Sequence, residues 1–183
     1  MQRINALTPS TAPAAAKTLL DAAHKKIGML PNLYATLAHS PAALQAYLQQ
    51  TEALTAGVLA PALREQLALV TAGVNGCDYC ASAHTLLGKR AGLPAGEAAS
   101  NLKGQSADTK TQAALDFASA ILSSRGHVSD AQLQHVRAAG FNDAQIVEIV
   151  AHLAMNTFTN YLNNIAKTVI DFPHVSTATA HAA

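Results

Sequence analysis

Charge is scarce in this chain. Only 13% of its 183 residues are charged, the formal net charge is +1, aromatic residues make up 4%, and there is no tryptophan. Without a basic excess or a Lys/Arg cluster, no electrostatic footprint for nucleic acid exists. No apolar run approaches the roughly 18–20 residues a membrane helix needs. The opening MQRINALTPSTAP lacks the apolar core of a signal peptide, so a cytoplasmic location is expected. Strand signals are missing too, because no stretch alternates apolar with polar residues. Cysteine is limited to Cys77 and Cys80. In a cytoplasmic chain such a pair points to a reducible or catalytic site before a structural disulfide.

What is present is alanine, leucine and helix punctuation. Apolar residues reach 50% at a mean hydropathy of +0.15. That is more apolar surface than a monomer comfortably exposes, and a subunit interface is its usual destination. The length suits one domain spanning 1–183, with an N-terminal arm over about 1–13 and a flexible tail over about 174–183. Helices are expected over 14–27, 31–39, 41–56, from Pro61 into the cysteine region, over 94–101, from Asp108 to Gly126, from Ser129 to Gly140, and from Asn142 to about Asp171. Ser40-Pro41 is an N-cap followed by proline at the first helical position. Ser129 and Gln132 have capping-box spacing. The fold class is all-α.

The chemistry concentrates between Arg64 and Gly92. Leu67, Leu69 and Val70 give one helix apolar positions, Asn75-Gly76 breaks it, and Cys77 opens the next. Cys77, Cys80 and His84 then stand at i, i+3 and i+7, on one face. A thiol at a helix N-terminus meets the positive end of the macrodipole and unpaired N–H groups. Such placement lowers a cysteine pKa from about 8.5, in strong cases to roughly 3.5–7.5. His84 is within one turn of Cys80 and able to exchange a proton with it. The spacing suits a dithiol redox site. Two alternatives stand beside it: buried cysteines acting as small hydrophobes, and zinc held by Cys77, Cys80 and His84 with a fourth ligand from elsewhere. Ala81 after Cys80 excludes c-type haem attachment, and no βαβ pattern surrounds the motif, which argues against a thioredoxin fold.

Glu65, Cys77-Asp78-Tyr79-Cys80 and His84 resemble the signature of the AhpD-like alkylhydroperoxidase branch of the carboxymuconolactone decarboxylase superfamily. LPNLYATLAHSPAALQAYL and VAHLAMNTFTNYLNNIAKTVIDFP extend the likeness to a peroxidase-related subgroup, over residues 3–175. The resemblance implies a single AhpD-like helical bundle with the C-x-x-C on a helix-turn-helix, and a thiol-dependent hydroperoxide reductase active in antioxidant defence. It implies Cys80 as peroxidatic nucleophile, Cys77 as resolving and donor-facing thiol, His84 as general base and Glu65 as proton relay. The redox-active element would be the Cys77–Cys80 disulfide, with no further cofactor and no metal. A lipoyl or thioredoxin-like dithiol would supply electrons, and the assembly would be a homo-oligomer, a trimer or hexamer. Tyr79 stands where many relatives carry a second histidine. A disulfide reductase serving a peroxiredoxin would use the same pair, and a redox-sensing or metal-binding module is the non-enzymatic rival. Muconolactone decarboxylation fits less well, since it does not rely on paired cysteines.

The last helix carries an apolar stripe of Ile146, Ile149, Val150, Leu153, Leu162, Ile165 and Val169. Beside it His152, Asn156, Asn160 and Asn164 follow one another at i+4 steps. Amides on an apolar helix need partners when buried. Contacts across a helix interface explain them, and a polar wall beside the thiols is the functional alternative. Tyr79, His152 and Asn156 are the candidate pocket residues. Arg64 is expected to pair with Glu65 or with another helix. Tyr34, Tyr47 and Tyr161 are expected in the core or at an interface. His24, His39, His127 and His135 are expected near helix ends or solvated faces, and His174 and His181 in the tail.

Overall fold

A computed structural model describes residues 1–178. Among them are nine α-helices and no strand: α1 Ala14–Ile27, α2 Asn32–Leu37, α3 Pro41–Thr55, α4 Pro61–Asn75, α5 Asp78–Arg90, α6 Glu97–Asn101, α7 Thr109–Ser124, α8 Asp130–Ala138 and α9 Asp143–Ala166. Expected caps form at Ser40, whose Oγ accepts the Ala43 N–H, and at Ser129–Gln132, which closes as a capping box. Asn142–Gln145 closes as a second box.

Helix α4 is the centre of the molecule and touches α5, α6, α7 and α9. Every residue from Gln66 to Gly73 is buried. Its Leu69 and Ala72 join a core with α1, α2, α3 and both cysteines, while Leu67 and Val70 join a second core with α7, α8 and the first half of α9. Gly73 permits this crowding, because a Cβ there would lie 1.9 Å from the Leu102 carbonyl oxygen.

Three expectations are corrected. Helix α9 ends at Ala166, about five residues early, because Lys167 adopts φ 53° and its N–H turns back to the Asn163 carbonyl. Of the apolar stripe, Val150, Ile165 and Val169 are exposed. They join Val147, Phe158 and Tyr161 on an outward apolar face instead of entering the core. The chain after Phe172 is not frayed where it is described. Ser82 Oγ accepts the Val175 N–H at 2.9 Å, and Asp78 Oδ1 accepts Thr177 N–H and Oγ1–H at 2.8 and 2.7 Å. His174 is exposed and 4.0 Å from Asp78. His181 and the rest of the tail lie outside the described residues. The N-terminal arm runs alongside, with Arg3 N–H donating to the Ala166 carbonyl and Leu7 N–H to that of Ala35.

Candidate functional site

The site is built on a two-residue elbow. Gly76 takes the left-handed conformation at φ 61°, ψ 42°, which glycine adopts without Cβ strain. Its N–H bonds the Gly73 carbonyl and the Cys77 N–H bonds that of Ala72, the double closure of a Schellman motif. Cys77 therefore ends α4 and also begins α5, where its Sγ accepts the Cys80 N–H at 3.3 Å. Both cysteines are free thiols, with Sγ atoms 2.7 Å apart and Cys77 as donor. Neither is open to solvent, Cys77 at 0% and Cys80 at 3% exposure. The expected donor-facing Cys77 is thus covered, because its side chain is turned inward to cap α5.

Around Cys80 are two flanks. One is charged: His84 Nδ1 and Glu65 Oε2 lie 2.7 Å apart, with side chains 23% and 21% exposed. Burial pulls the His84 pKa down, but the Glu65 charge and hydrogen bond, with a contribution from Cys80, hold it above its ordinary value. The other flank is neutral and comes from α9. Asn163 Nδ2 donates to Cys80 Sγ at 3.3 Å. Asn160 Oδ1 accepts from Asn75 Nδ2 at 3.1 Å, and its own amide also stabilises the Cys80 thiolate.

The electrostatics separate the two thiols. Burial is the largest single influence on Cys80 and raises it. The Cys77 S–H, the His84 charge and the amides of Asn163 and Asn160 together outweigh burial and hold Cys80 below the ordinary thiol value. For Cys77 the hydrogen bond to Cys80 is the largest cause, followed by burial, and both push it well up. Of the two thiols, Cys80 is the one whose thiolate is favoured, with the Cys77 S–H donating to it. A thiolate is the nucleophilic form of cysteine.

Of the other expected pocket residues, Tyr79 lines a small cleft together with Asn163, and Asn156 and His152 do not line it. The Tyr79 hydroxyl accepts the Leu33 N–H at 3.1 Å, and its ring meets Phe172 edge-on at 5.6 Å. Burial raises its phenol far above the titrating range, so Tyr79 ties α5 to α2 and the C-terminal segment. Asn156 spends its amide on the His152 carbonyl of its own helix. His152 is buried, its Nε2 has no partner, and burial pushes its pKa down, so the ring is neutral. Asn164 donates to the Asn75 carbonyl at 2.8 Å, bracing the elbow. Arg64 turns from Glu65 to the last carbonyls of α3, Leu54 and Thr55. Tyr34 and Tyr47 pack edge-on at 5.6 Å. Asn163, which the sequence reading did not single out, is the α9 residue in direct contact with sulfur. Among the described residues no group of three or more His, Cys, Asp or Glu is placed to hold a metal ion.

Residues 40–121, which carry α3 through most of α7 and so the whole Glu65–Cys77–Cys80–His84 set, match the carboxymuconolactone decarboxylase family. The chain as a whole has an AhpD-like helical fold. A peroxidase-related protein with an alkylhydroperoxidase AhpD core, from Ralstonia eutropha JMP134, superposes with a TM-score of 0.84 at 24% identity, over 93% of this chain and 92% of its own. A peroxidase-related protein from Silicibacter sp. TM1040 gives 0.77 at 21% identity, over 99% and 96%. The debrominase Bmp8, as a variant in complex with 2,3,4-tribromopyrrole, gives 0.77 at 20% identity, over 97% and 94%. No curated protein matches the chain significantly. No helix among the described residues is long and apolar enough to cross a membrane.

Proposed function

We propose that the protein is a thiol-dependent hydroperoxide reductase. The observation that carries this reading is the asymmetry of the cysteine pair: His84, Asn163 and the Cys77 S–H favour loss of the Cys80 proton, while the hydrogen bond to Cys80 and burial keep the proton on Cys77. His84, as base, takes the Cys80 proton. The thiolate attacks the terminal oxygen of R′O–OH. The S–O bond forms, the O–O bond breaks, and R′O⁻ leaves with the electron pair and collects the proton from His84. Cys77 then attacks the Cys80 sulfenic acid, closing the disulfide and releasing water. The sum is two thiols plus R′OOH giving a disulfide, R′OH and water. Glu65 holds His84 through Nδ1 and sustains its charge between the two transfers.

The Cys77–Cys80 disulfide is the only redox group this cycle requires. A small dithiol, lipoyl or thioredoxin-like, reopens it by exchange. The outward apolar face of α9, with Val147, Phe158, Tyr161 and Ile165 exposed, supports a homo-oligomer; a trimer or hexamer, a cytoplasmic location and a role in antioxidant defence belong to the same proposal.

Single-turnover oxidation of the reduced, metal-free protein, followed by intact mass, tests this reading. Expected is loss of both free thiols and of two hydrogens per chain at stoichiometric hydroperoxide. Thiols that survive excess peroxide overturn it. Should the same disulfide form with a bromopyrrole instead, the assignment moves to reductive dehalogenation, the activity in the name of one structural neighbour. There the thiolate would take the halogen, the ring carbon would take a proton, and Cys77 would displace bromide.

A further inference from the structure

The cysteines are closed to solvent, so substrate needs a way in. Two larger cavities do not touch the sulfurs. One, of about 460 Å³, is lined by Ser82, Thr85, Leu86 and Lys89; the helical period places these on the side of α5 opposite Cys80 and His84. The other, of about 680 Å³, lies between α1 and α3. A smaller cleft of about 170 Å³ lies where the first turn of α5 meets the end of α9, with Asp78, Asn163, Asn164, Lys167 and Thr168 among its lining. Asn163 belongs to this cleft and to the thiol site at once, since its Nδ2 bonds Cys80 Sγ at 3.3 Å. Its Oδ1 and the Thr168 hydroxyl are buried without a protein partner. Unpaired buried acceptors are costly unless something else satisfies them.

Resting on the peroxidase reading, we infer that Asn163 is the partition between this cleft and Cys80, and that the cleft admits small, polar hydroperoxides. The amide has two uses in such a step. Nδ2 steadies the sulfur, and Oδ1 is an acceptor for the O–H of the peroxide, which aligns the terminal oxygen with the thiolate. The mostly polar lining suits hydrogen peroxide or a short-chain hydroperoxide and offers a fatty chain little apolar surface. The cleft carries one charge of each sign, Asp78 and Lys167, which favours polar substituents without net charge.

The test uses the whole reduced protein. Stopped-flow oxidation by hydrogen peroxide, ethyl hydroperoxide and a long-chain fatty-acid hydroperoxide reads the preference for small, polar substrates, and iodoacetamide alkylation reads access without peroxide chemistry. The two small peroxides are expected to react at least about tenfold faster than the fatty one. Asn163→Leu, near-isosteric but apolar, should slow both peroxide and iodoacetamide by about 10- to 100-fold. Asn163→Asp keeps an acceptor but loses the donor, and carries the same direction if the leucine variant folds poorly. Ala95→Trp, which fills the larger cavity lined by Ser82 and Thr85, should change neither rate. The inference is overturned if the fatty hydroperoxide matches the small ones, if folded Asn163 variants stay within about twofold of wild type, or if Ala95→Trp slows the reaction. Protein inert to every peroxide but alkylated in an Asn163-dependent way sinks the peroxidase reading alone. Inertness to iodoacetamide as well sinks both.

Discussion

The two flanks of Cys80 differ in what they can do. On the α4–α5 side, Glu65 and His84 form a titratable pair 2.7 Å apart that stays partly exposed. On the α9 side, Asn160 and Asn163 are buried amides that never ionise in the working pH range. The first flank moves protons; the second only stabilises charge that is already there. An interior that relied on charges alone would face a large desolvation cost. Amide donors lower the thiol pKa without adding another ion to be buried, and they leave His84 at the edge where it can exchange protons.

Removing the charged flank should have the larger effect. His84→Ala is expected to slow peroxide reaction at Cys80 by about 100-fold or more, the usual scale for a lost acid–base group. It should also move the acid limb of the rate–pH profile upward, because Cys80 loses a charge that lowers its pKa. Glu65→Gln should be milder and act on the other limb. After burial, which opposes it, the Glu65 charge is the main influence on His84 and raises it, so the imidazolium would lose its proton at a lower pH and the alkaline limb would shift to acid. Unchanged profiles in both variants, measured by stopped flow from pH 5 to 10, would break the division between the flanks.

A smaller effect sharpens the same comparison. Asn160→Leu removes a neutral amide that helps lower the Cys80 pKa, and should slow iodoacetamide alkylation of Cys80 by about tenfold or less. Its acid limb should rise while the alkaline limb, set by His84, stays in place. Movement of both limbs would mean that the amides act through His84, not directly on sulfur.

The charged flank was legible in the sequence and the amide flank only in part, for a geometric reason. Glu65, Cys77, Cys80 and His84 lie within twenty residues, joined by one elbow whose Asn-Gly signal is explicit. On α9 the polar file runs in steps of four, from His152 to Asn156, Asn160 and Asn164. Each such step overshoots a helical turn by about 40°, so three of them drift by about 120°. Eleven residues return to within about 20° of the starting direction. Asn163, not Asn164, therefore shares the inner face and reaches Cys80. The end of α9 is not legible in the sequence, because Lys167 takes a left-handed conformation that is marked by glycine elsewhere, as at Gly28 and Gly76. The docking of Val175 and Thr177 depends on Ser82 and Asp78, more than ninety residues away, and no local pattern announces it.

Site-resolved alkylation against pH tests most directly whether the two flanks make Cys80 the thiolate. Reduced protein would be pulsed with iodoacetamide between pH 5 and 10 and the cysteine-bearing peptide fragments sequenced by mass spectrometry. Expected is alkylation at Cys80 with a midpoint below the ordinary thiol value of about 8.5, and at Cys77 only at higher pH. Alkylation at Cys77 first, or at both with an ordinary midpoint, would contradict it.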